Sequence, residues 1–205
     1  MYSIDLSGRH ALVMGVANHR SLSWAIARCL HQAGAKLCLT YAGDRLKSMV
    51  EELAVETPGA LVLECDVTRD ATIDAVAARL GREWGSLEVL VHGIAFARKE
   101  DLESAFVATP REGFQLALDV SAYSLLNVTN RMLPLLEKQG GAIVTLSYLA
   151  AEGSPEQYVI RLRQSDDKHL DLISFGSESP EAVDALAAKL AGRGVQLVGE
   201  PDTLF

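Results

Sequence analysis

Gly15 and Ser21 bracket a short loop whose position is suited to binding a phosphate. An apolar run ends at Gly15 and an apolar pattern of helical spacing begins after Ser21, which predicts a strand, a loop and a helix. The N-terminus of such a helix carries unpaired N–H groups and a partial positive charge, which favour a pyrophosphate. Gly15 permits a tight turn, and the Ser21 hydroxyl can cap the helix and donate to a phosphate or ribose oxygen. The common fingerprint of three closely spaced glycines is absent, because Gly15 stands alone in the loop.

The elements that would position this loop alternate between short apolar strands and amphipathic helices. Strands are predicted at residues 10–15, 35–41, 60–65, 87–92 and 142–147. Helices are predicted at residues 22–33, 44–55, 70–84 and 111–139, and Gly34 is expected to end the first of them. Strict alternation of this kind is typical of a parallel sheet covered by helices on both faces. We therefore expect an α/β fold with a doubly wound, Rossmann-like parallel sheet.

In a doubly wound sheet, ligands bind outside the carboxyl ends of the strands, where the strand order reverses. This rule brings together the loops after the first and fourth strands, and the second of these is the small sequence Gly93-Ile94-Ala95. Asp66 and Val67 follow the third strand, where the carboxylate can accept from the exocyclic amine of an adenine while Val67 packs on the ring. The alternative is that Asp66 serves as a helix cap or turn residue.

The acidic composition limits the classes of partner. The chain has 205 residues, a formal net charge of −8 and 49% hydrophobic residues, which fits a globular domain with an ample core. The net charge argues against nucleic acid or an anionic membrane surface as a partner. Cys29, Cys38 and Cys65 are predicted to be buried thiols of a reducing compartment. No signal sequence, membrane-spanning apolar stretch or metal-ligand spacing is found, so we expect a cytoplasmic protein without a metal site.

Several short motifs carry a family resemblance over residues 1–152. They are Gly15-Val16 with Ser21-Leu22, Cys65-Asp66-Val67, Val91-His92-Gly93-Ile94-Ala95-Phe96-Ala97, Arg111-Glu112-Gly113-Phe114, Ser121-Ala122-Tyr123-Ser124 and Thr145-Leu146-Ser147-Tyr148-Leu149-Ala150-Ala151-Glu152. With these motifs the region resembles bacterial enoyl-acyl-carrier-protein reductases, a divergent branch of the short-chain dehydrogenase/reductase family that uses the wide spacing from Gly15 to Ser21. The resemblance implies an NADH-dependent oxidoreductase of fatty acid biosynthesis, which transfers a hydride to the C=C bond of an enoyl thioester on acyl carrier protein or CoA.

The resemblance also implies which residues line the nicotinamide cofactor site: Gly15, Val16, Ser21, Leu22, Asp66, Val67, Gly93, Ile94, Leu146 and Ser147. Tyr148 would stand beside the enoyl substrate. The second strand ends at Tyr41-Ala42-Gly43, which offers neither an acidic residue for a ribose diol nor a basic residue for a 2′-phosphate. The habit of the family favours NADH, while Arg45 and Lys47 leave NADPH open.

The catalytic pattern of the resembled family is incomplete in this chain. The family continues with a long helix that carries Tyr, six residues and then Lys, in which the tyrosine supports an enolate oxygen and the lysine activates the tyrosine. Tyr158 occupies the tyrosine position, but Ser165 occupies the lysine position, and residues 157–164 alternate like a strand. Two hypotheses follow. One is a reductase of weak or lost activity in which Tyr148 or Tyr158 supports the enolate; the other is an inactive chimeric or truncated nucleotide-binding scaffold.

Residues 153–205 form a second predicted region, because the family resemblance ends after Glu152. Residues 156–176, 179–194 and 195–201 resemble part of a vicinal-oxygen-chelate module, as in extradiol ring-cleaving dioxygenases. Leu172 falls where those modules place a metal-binding histidine, and a lone His169 does not hold a metal. The pattern predicts an atypical strand, strand, helix and strand. Residues 169–175 and 195–198 either add two parallel strands to the sheet or belong to a small βαβ unit packed on it.

The predicted helix at residues 111–139 indicates how the chain could assemble. Enzymes of the resembled family associate through helices of this kind, and the apolar stripe of the helix would pair in a homo-oligomer. A module that acts only in protein interactions is the third hypothesis, and it draws on this helix and on the charged face of the helix predicted at residues 179–193.

Overall fold

Five short apolar strands form the parallel part of the sheet. The computed structural model describes residues 5–148, 157–163 and 172–174. The parallel strands are β1 (His10–Met14), β2 (Lys36–Tyr41), β3 (Leu61–Glu64), β4 (Val89–His92) and β5 (Ala142–Thr145). Their order is β3-β2-β1-β4-β5, so the order reverses between β1 and β4. The predicted doubly wound, Rossmann-like sheet is confirmed, with its switch point between these two strands.

Amphipathic helices connect the strands and cover both faces of the sheet. They are α1 (Leu22–Gln32), α2 (Asp44–Ala54), α3 (Asp70–Glu83), α4 (Lys99–Glu103), α5 (Arg111–Leu118) and α6 (Ser124–Leu136). Gly34 has a φ of 94° just beyond α1, the left-handed conformation expected of a residue that ends a helix. The polar connection that precedes α5 contains α4 and a 3₁₀ turn, Phe106–Ala108.

Two buried cores lie on opposite faces of the sheet. Leu12 and Met14 of β1 pack in one core with α3 and α6, whereas Ala11 and Val13 pack in the other with α1 and α2. Successive side chains of a strand point to opposite faces, so a strand that is covered on both faces is apolar at every position. The expectation that all three cysteines are buried is wrong for Cys29, which lies on the exposed side of α1.

The long helix expected at residues 111–139 is divided. A π-turn, Asp119–Tyr123, separates α5 from α6, and α6 ends at Leu136. The i→i+5 hydrogen bonds of a π-turn widen the helix locally, and such turns occur mostly as single bulges inside α-helices. The apolar periodicity of the sequence does not reveal the bulge, because it continues on both sides of it.

Three antiparallel strands follow the parallel sheet: β6 (Ser147–Tyr148), β7 (Gln157–Arg163) and β8 (Leu172–Ser174). β7 pairs antiparallel with β5, β6 and β8. The strand predicted from the alternation of residues 157–164 is confirmed. The sequence allowed a parallel sixth strand beside β5. The structure instead places β7 beside β5, and β7 runs in the opposite direction. A parallel neighbour needs a crossover of a dozen or more residues, and only residues 149–156 separate β6 from β7.

Several predicted features lie outside the described residues. They are Ser165, His169, the helix at residues 179–193 and the strand at residues 195–198. The predicted domain boundary at residue 152 also falls there and stays a prediction. Within the described ranges, no helix is both long and apolar enough to cross a membrane.

Candidate functional site

A cavity of about 430 Å³ opens at the carboxyl ends of β1, β2, β3 and β4. The loops that follow these strands form most of its wall, and α5 and the π-turn close one side of it. The wall consists of Gly15, Val16, Ala17, Thr40, Tyr41, Ala42, Leu46, Cys65, Asp66, Val67, Thr68, Gly93, Ile94, Ala95, Phe96, Leu116 and Val120. The structure thus brings together, at the switch point, most of the residues predicted for the cofactor site: Gly15, Val16, Asp66, Val67, Gly93 and Ile94.

The loops after β1 and β4 touch at Gly15 and Gly93. Gly15 has a φ of 83°, and a Cβ at this position would overlap the Gly93 carbonyl oxygen and lie 2.5 Å from the carbonyl carbon. The Gly93 amide lies 3.3 Å from the Met14 carbonyl oxygen, to which it donates, and a Cβ on Gly93 would overlap the Ser23 hydroxyl. Gly15 therefore requires glycine, since a side chain there would push the two loops apart, whereas a side chain at Gly93 would displace the Ser23 hydroxyl at the start of α1.

Ser21 precedes α1, but its hydroxyl does not cap the helix, which corrects the capping prediction. The hydroxyl instead donates to the Asn18 carbonyl oxygen at 2.6 Å and accepts from the Ala17 amide at 3.3 Å. The Ser21 side chain thus forms its hydrogen bonds with the main chain of its own loop. Leu22 is 52% exposed, and neither Ser21 nor Leu22 lies on the cavity wall. Within the described part of the chain, no acceptor is recorded for the amides of Leu22 and Ser23.

Asp66 lies on the cavity wall and also organises the turn between β3 and α3. Its Oδ1 accepts from the Thr68 amide at 3.0 Å and from the Thr68 hydroxyl at 2.7 Å, and its Oδ2 accepts from Arg69 Nε at 3.1 Å. Burial raises the pKa of Asp66, but these hydrogen bonds and the Arg69 charge outweigh burial, so the pKa lies below its ordinary value. The turn-residue alternative is correct. A carboxylate has about four acceptor positions, so one position on Oδ2 stays available to a ligand.

The wall contains residues that sequence reasoning did not assign to the site. Leu116 of α5 and Val120 of the π-turn are part of the wall. The buried Thr40 and Cys65 reach the wall from the ends of β2 and β3. Burial raises the pKa of Cys65 to about 11, so its sulfur is a neutral thiol at physiological pH. The apolar periodicity of the predicted helix includes Leu116 and Val120 but does not distinguish a residue on the cavity wall from a residue in the core.

The remaining predicted site residues follow β5. Leu146 is half-buried and lies outside the cavity wall. Ser147 pairs with Tyr158 and Tyr148 pairs with Gln157, so the main chain brings the segments of the two candidate tyrosines side by side. These segments are strands, whereas the family resemblance implies a helix at the position of Tyr158.

Comparison with known proteins shows extensive similarity over the first three quarters of the chain. Residues 15–161 match the family described as Enoyl-(Acyl carrier protein) reductase. The NADH-type enoyl-acyl-carrier-protein reductase FabI of Aquifex aeolicus is 46% identical over 147 residues, which cover 72% of this chain and 54% of the relative. The FabI of Bacillus subtilis is 46% identical over 152 residues, covering 73% and 58%. The chain therefore spans just over half the length of these relatives.

Solved structures agree with this similarity. The crystal structure of the Aquifex aeolicus NADH-type reductase has a TM-score of 0.68 and 46% identity, over 70% of this chain and 57% of that one. The Bacillus cereus reductase, crystallised with NADP+ and an indole naphthyridinone, has a TM-score of 0.68 and 47% identity, over 71% and 57%.

The similarity has a clear limit along the chain. The family match ends at residue 161. None of these similarities supports the vicinal-oxygen-chelate resemblance predicted for residues 156–205, most of which lie outside the described residues. Because the match covers more than half of the chain and includes Gly15, Gly93 and the loop after β3 on the cavity wall, the chain belongs to the enoyl-(acyl carrier protein) reductase family.

Proposed function

We propose that the cavity binds NADH. Three observations support this proposal: the cavity lies at the switch point of the sheet, Gly15 and Gly93 leave their main chain open to close approach, and one acceptor position of Asp66 stays available. The relatives from Aquifex aeolicus and Bacillus subtilis are named as NADH enzymes. NADPH is the alternative cofactor, since the Bacillus cereus structure contains NADP+.

The cavity residues fit such a dinucleotide by their chemistry. Asp66 would accept from the adenine amine, with Val67 against the ring. Gly15, Val16, Gly93 and Ile94 would contact the remaining cofactor along the wall. The amides of Leu22 and Ser23 at the start of α1 would donate to the pyrophosphate, with the Ser21 hydroxyl holding the loop in place. Leu146 and Ser147 would approach from the end of β5.

The reaction we propose is reduction of the C=C bond of an enoyl thioester on acyl carrier protein or CoA, as a step of cytoplasmic fatty acid biosynthesis. When bound, NADH would supply the hydride to the β-carbon, and a proton taken up from solvent would complete the reduction at the α-carbon. The hydroxyl of Tyr148 or Tyr158 would donate to the thioester oxygen as negative charge develops on it. Ser165 supplies no positive charge to this site, so we expect turnover lowered by roughly 100-fold or more relative to a Tyr-and-Lys enzyme.

The alternative function is a nucleotide-binding scaffold without catalytic activity. The observation in its favour is that Gln157–Arg163 is a strand. A strand and a helix present a tyrosine differently, because their side-chain periods are 2.0 and 3.6 residues. The scaffold would retain the cofactor loops after β1 and β4 and lack the arrangement that supports the enolate.

The decisive experiment follows nicotinamide fluorescence during titration of the purified chain with NADH, and separately with NADPH, before crotonyl-CoA is added. Tyr148→Phe and Tyr158→Phe identify the hydroxyl that acts, and Ser165→Lys tests the missing charge. Ser48→Lys, on the exposed side of α2, is the matched control.

Each outcome selects one function. Saturable binding with thioester-dependent oxidation, slowed by one Tyr→Phe change and accelerated by Ser165→Lys but not by Ser48→Lys, supports the reductase. Binding without oxidation in any variant supports the scaffold. A chain that binds neither cofactor contradicts both proposals.

We also propose that the chain forms a homo-oligomer through α5, the π-turn and α6. An open groove on α5, the π-turn and the start of α6 is lined by apolar and aromatic side chains together with Arg111, Gln115 and Asp119. Phe114 (51%), Leu118 (49%) and Leu126 (67%) are exposed at helical spacing. A second copy of the chain would bury this stripe against its own. Sedimentation velocity should show a larger species for the parent than for Leu118→Asp. Val55→Asp, at an exposed apolar residue beyond α2, should leave the assembly unchanged.

A further inference from the structure

Two serines, Ser121 in the π-turn and Ser124 at the start of α6, hold both ends of the loop after β4. The Ser121 hydroxyl accepts from the Phe96 amide at 3.0 Å and lies 3.2 Å from the Phe96 carbonyl oxygen, to which it donates. The Ser124 hydroxyl lies 2.8 Å from His92 Nε2. His92 and Phe96 are the two ends of the loop, and Gly93 and Ile94 between them form part of the cavity wall.

The hydrogen bond between Ser124 and His92 has a defined direction. The Ser124 hydroxyl has one proton and donates it to the Val120 carbonyl oxygen at 2.6 Å. Its oxygen therefore accepts from His92, whose proton must be on Nε2. The His92 side chain is fully buried, and its Nδ1 has no partner in the described part of the chain. Burial lowers the pKa of His92, which agrees with a neutral ring.

The Ser121 hydroxyl makes the main-chain hydrogen bonds that a neighbouring strand would otherwise make. It engages both the donor and the acceptor of one residue, as a strand partner does, beyond the point where β4 ends. Within the described residues, no other hydrogen bond is recorded for the main chain of residues 94–97. The position of this loop on the cavity wall therefore depends on a side chain 25 residues away in sequence.

We propose that Ser121 and Ser124 are positioning residues, which set the loop of residues 93–96 relative to the helix side of the cavity and thereby determine cofactor affinity. Val120 immediately precedes Ser121 in the π-turn and also forms part of the wall. One short segment thus fixes the distance between two sides of the same cavity. This inference rests on the proposed binding of a nicotinamide cofactor.

The test compares Ser121→Ala, Ser124→Ala and the conservative Ser121→Thr with the parent. Ser104→Ala is the matched control, since this exposed serine also donates to a main-chain carbonyl, that of Asp101 at 3.4 Å, but lies outside the cavity wall. NADH affinity is measured by nicotinamide fluorescence, thermal stability by circular dichroism, and opening of the loop by hydrogen exchange at the Phe96 amide.

Ser121→Ala should weaken NADH binding about tenfold and speed exchange at Phe96, with a melting temperature within a few degrees of the parent. Ser121→Thr should restore both properties, and Ser104→Ala should change neither. Parent affinity together with parent exchange in Ser121→Ala would overturn the proposal, as would a loss of affinity that only follows a loss of folded protein.

A spectroscopic measurement separates this inference from the proposed function. Nitrogen chemical shifts of the imidazole should show the Nε2–H form of His92 in the parent, and a changed Nε2 shift in Ser124→Ala. If the parent binds neither NADH nor NADPH, the proposed function fails. In that case the Phe96 exchange and the His92 shifts decide whether the two serines hold the loop. An unchanged Phe96 exchange rate in Ser121→Ala together with an unchanged His92 Nε2 shift in Ser124→Ala would overturn the inference.

Discussion

Gly15 packs so closely against Gly93 on the cavity wall that it has no room for a Cβ. The Gly15 Cβ would overlap the Gly93 carbonyl oxygen, and the φ of 83° at Gly15 is itself strained for a residue other than glycine. Gly15→Ala should therefore weaken NADH binding by more than tenfold, measured by nicotinamide fluorescence. Gly59→Ala is the control, because Gly59 has a φ of 88° with nothing within 4 Å of its Cβ. Equal losses in the two variants would show that backbone strain alone, and not the contact, causes the effect.

A second prediction concerns His10 at the opposite end of β1. Its ring stacks on Trp84 with centroids 4.8 Å apart, and its Nδ1 lies 3.3 Å from Glu88. Burial is the main cause that lowers the pKa of His10; Glu88 raises the pKa and Lys36 lowers it. The unfolded chain binds more protons than the folded chain between this lowered pKa and the ordinary value near 6.5, so the contribution of His10 to stability is lost as the pH falls through that range.

His10→Phe keeps a ring against Trp84 and removes the titration. Urea unfolding at pH 7.5 and pH 5.5 should show a smaller loss of stability on acidification for this variant than for the parent. His31→Phe serves as the control, since no hydrogen bond or ion pair of the His31 side chain is recorded among the described residues. A parent and a His10→Phe variant with the same pH dependence would contradict the assignment.

Thr72 ties the first turn of α3 to the end of β3. Its hydroxyl accepts from the Asp66 amide at 3.0 Å and lies 2.7 Å from the Asp66 carbonyl oxygen. Thr72→Val keeps the shape of the side chain and leaves the amide unpaired, so the free energy of unfolding should fall by about 1–2 kcal/mol. Urea denaturation measures the change. Thr109→Val, at a half-buried threonine with no recorded side-chain hydrogen bond in the described ranges, should cost less.

The three cysteines should differ sharply in reactivity. Burial raises the pKa of Cys38 to about 12 and that of Cys65 to about 11, whereas Cys29 is exposed. Because the thiolate is the reactive form, an aromatic disulfide reagent at pH 8 should titrate one thiol in the folded chain and all three in denaturant. Rapid reaction of two or more thiols in the folded chain would show that the cavity wall at Cys65 opens.

Local patterns in the sequence were sufficient to predict the parallel sheet. The strands β1 to β5 and the helices α1 to α3 occur within two residues of their predicted bounds. The strand at Gln157–Arg163 was also predicted from its alternation. Apolar periodicity and residues such as Gly34 act over a few neighbouring positions, so they can be recognised without knowledge of the rest of the chain. The meeting of the loops after the first and fourth strands was predicted from the rule that ligands bind where the strand order of a doubly wound sheet reverses.

The class of sheet and the loops that meet at its switch point follow from the sequence alone. How the side chains are used there depends on the packing of the folded chain. The Ser21 hydroxyl serves its own loop and not the helix, Val120 enters the cavity through a π-turn, and Ser121 reaches Phe96 in a loop 25 residues away. The contact between Ser121 and Phe96 joins residues that are distant along the chain, and it depends on a fraction of an ångström in the relative placement of two elements. A local pattern carries no information on that placement, because the packing of the two cores determines it.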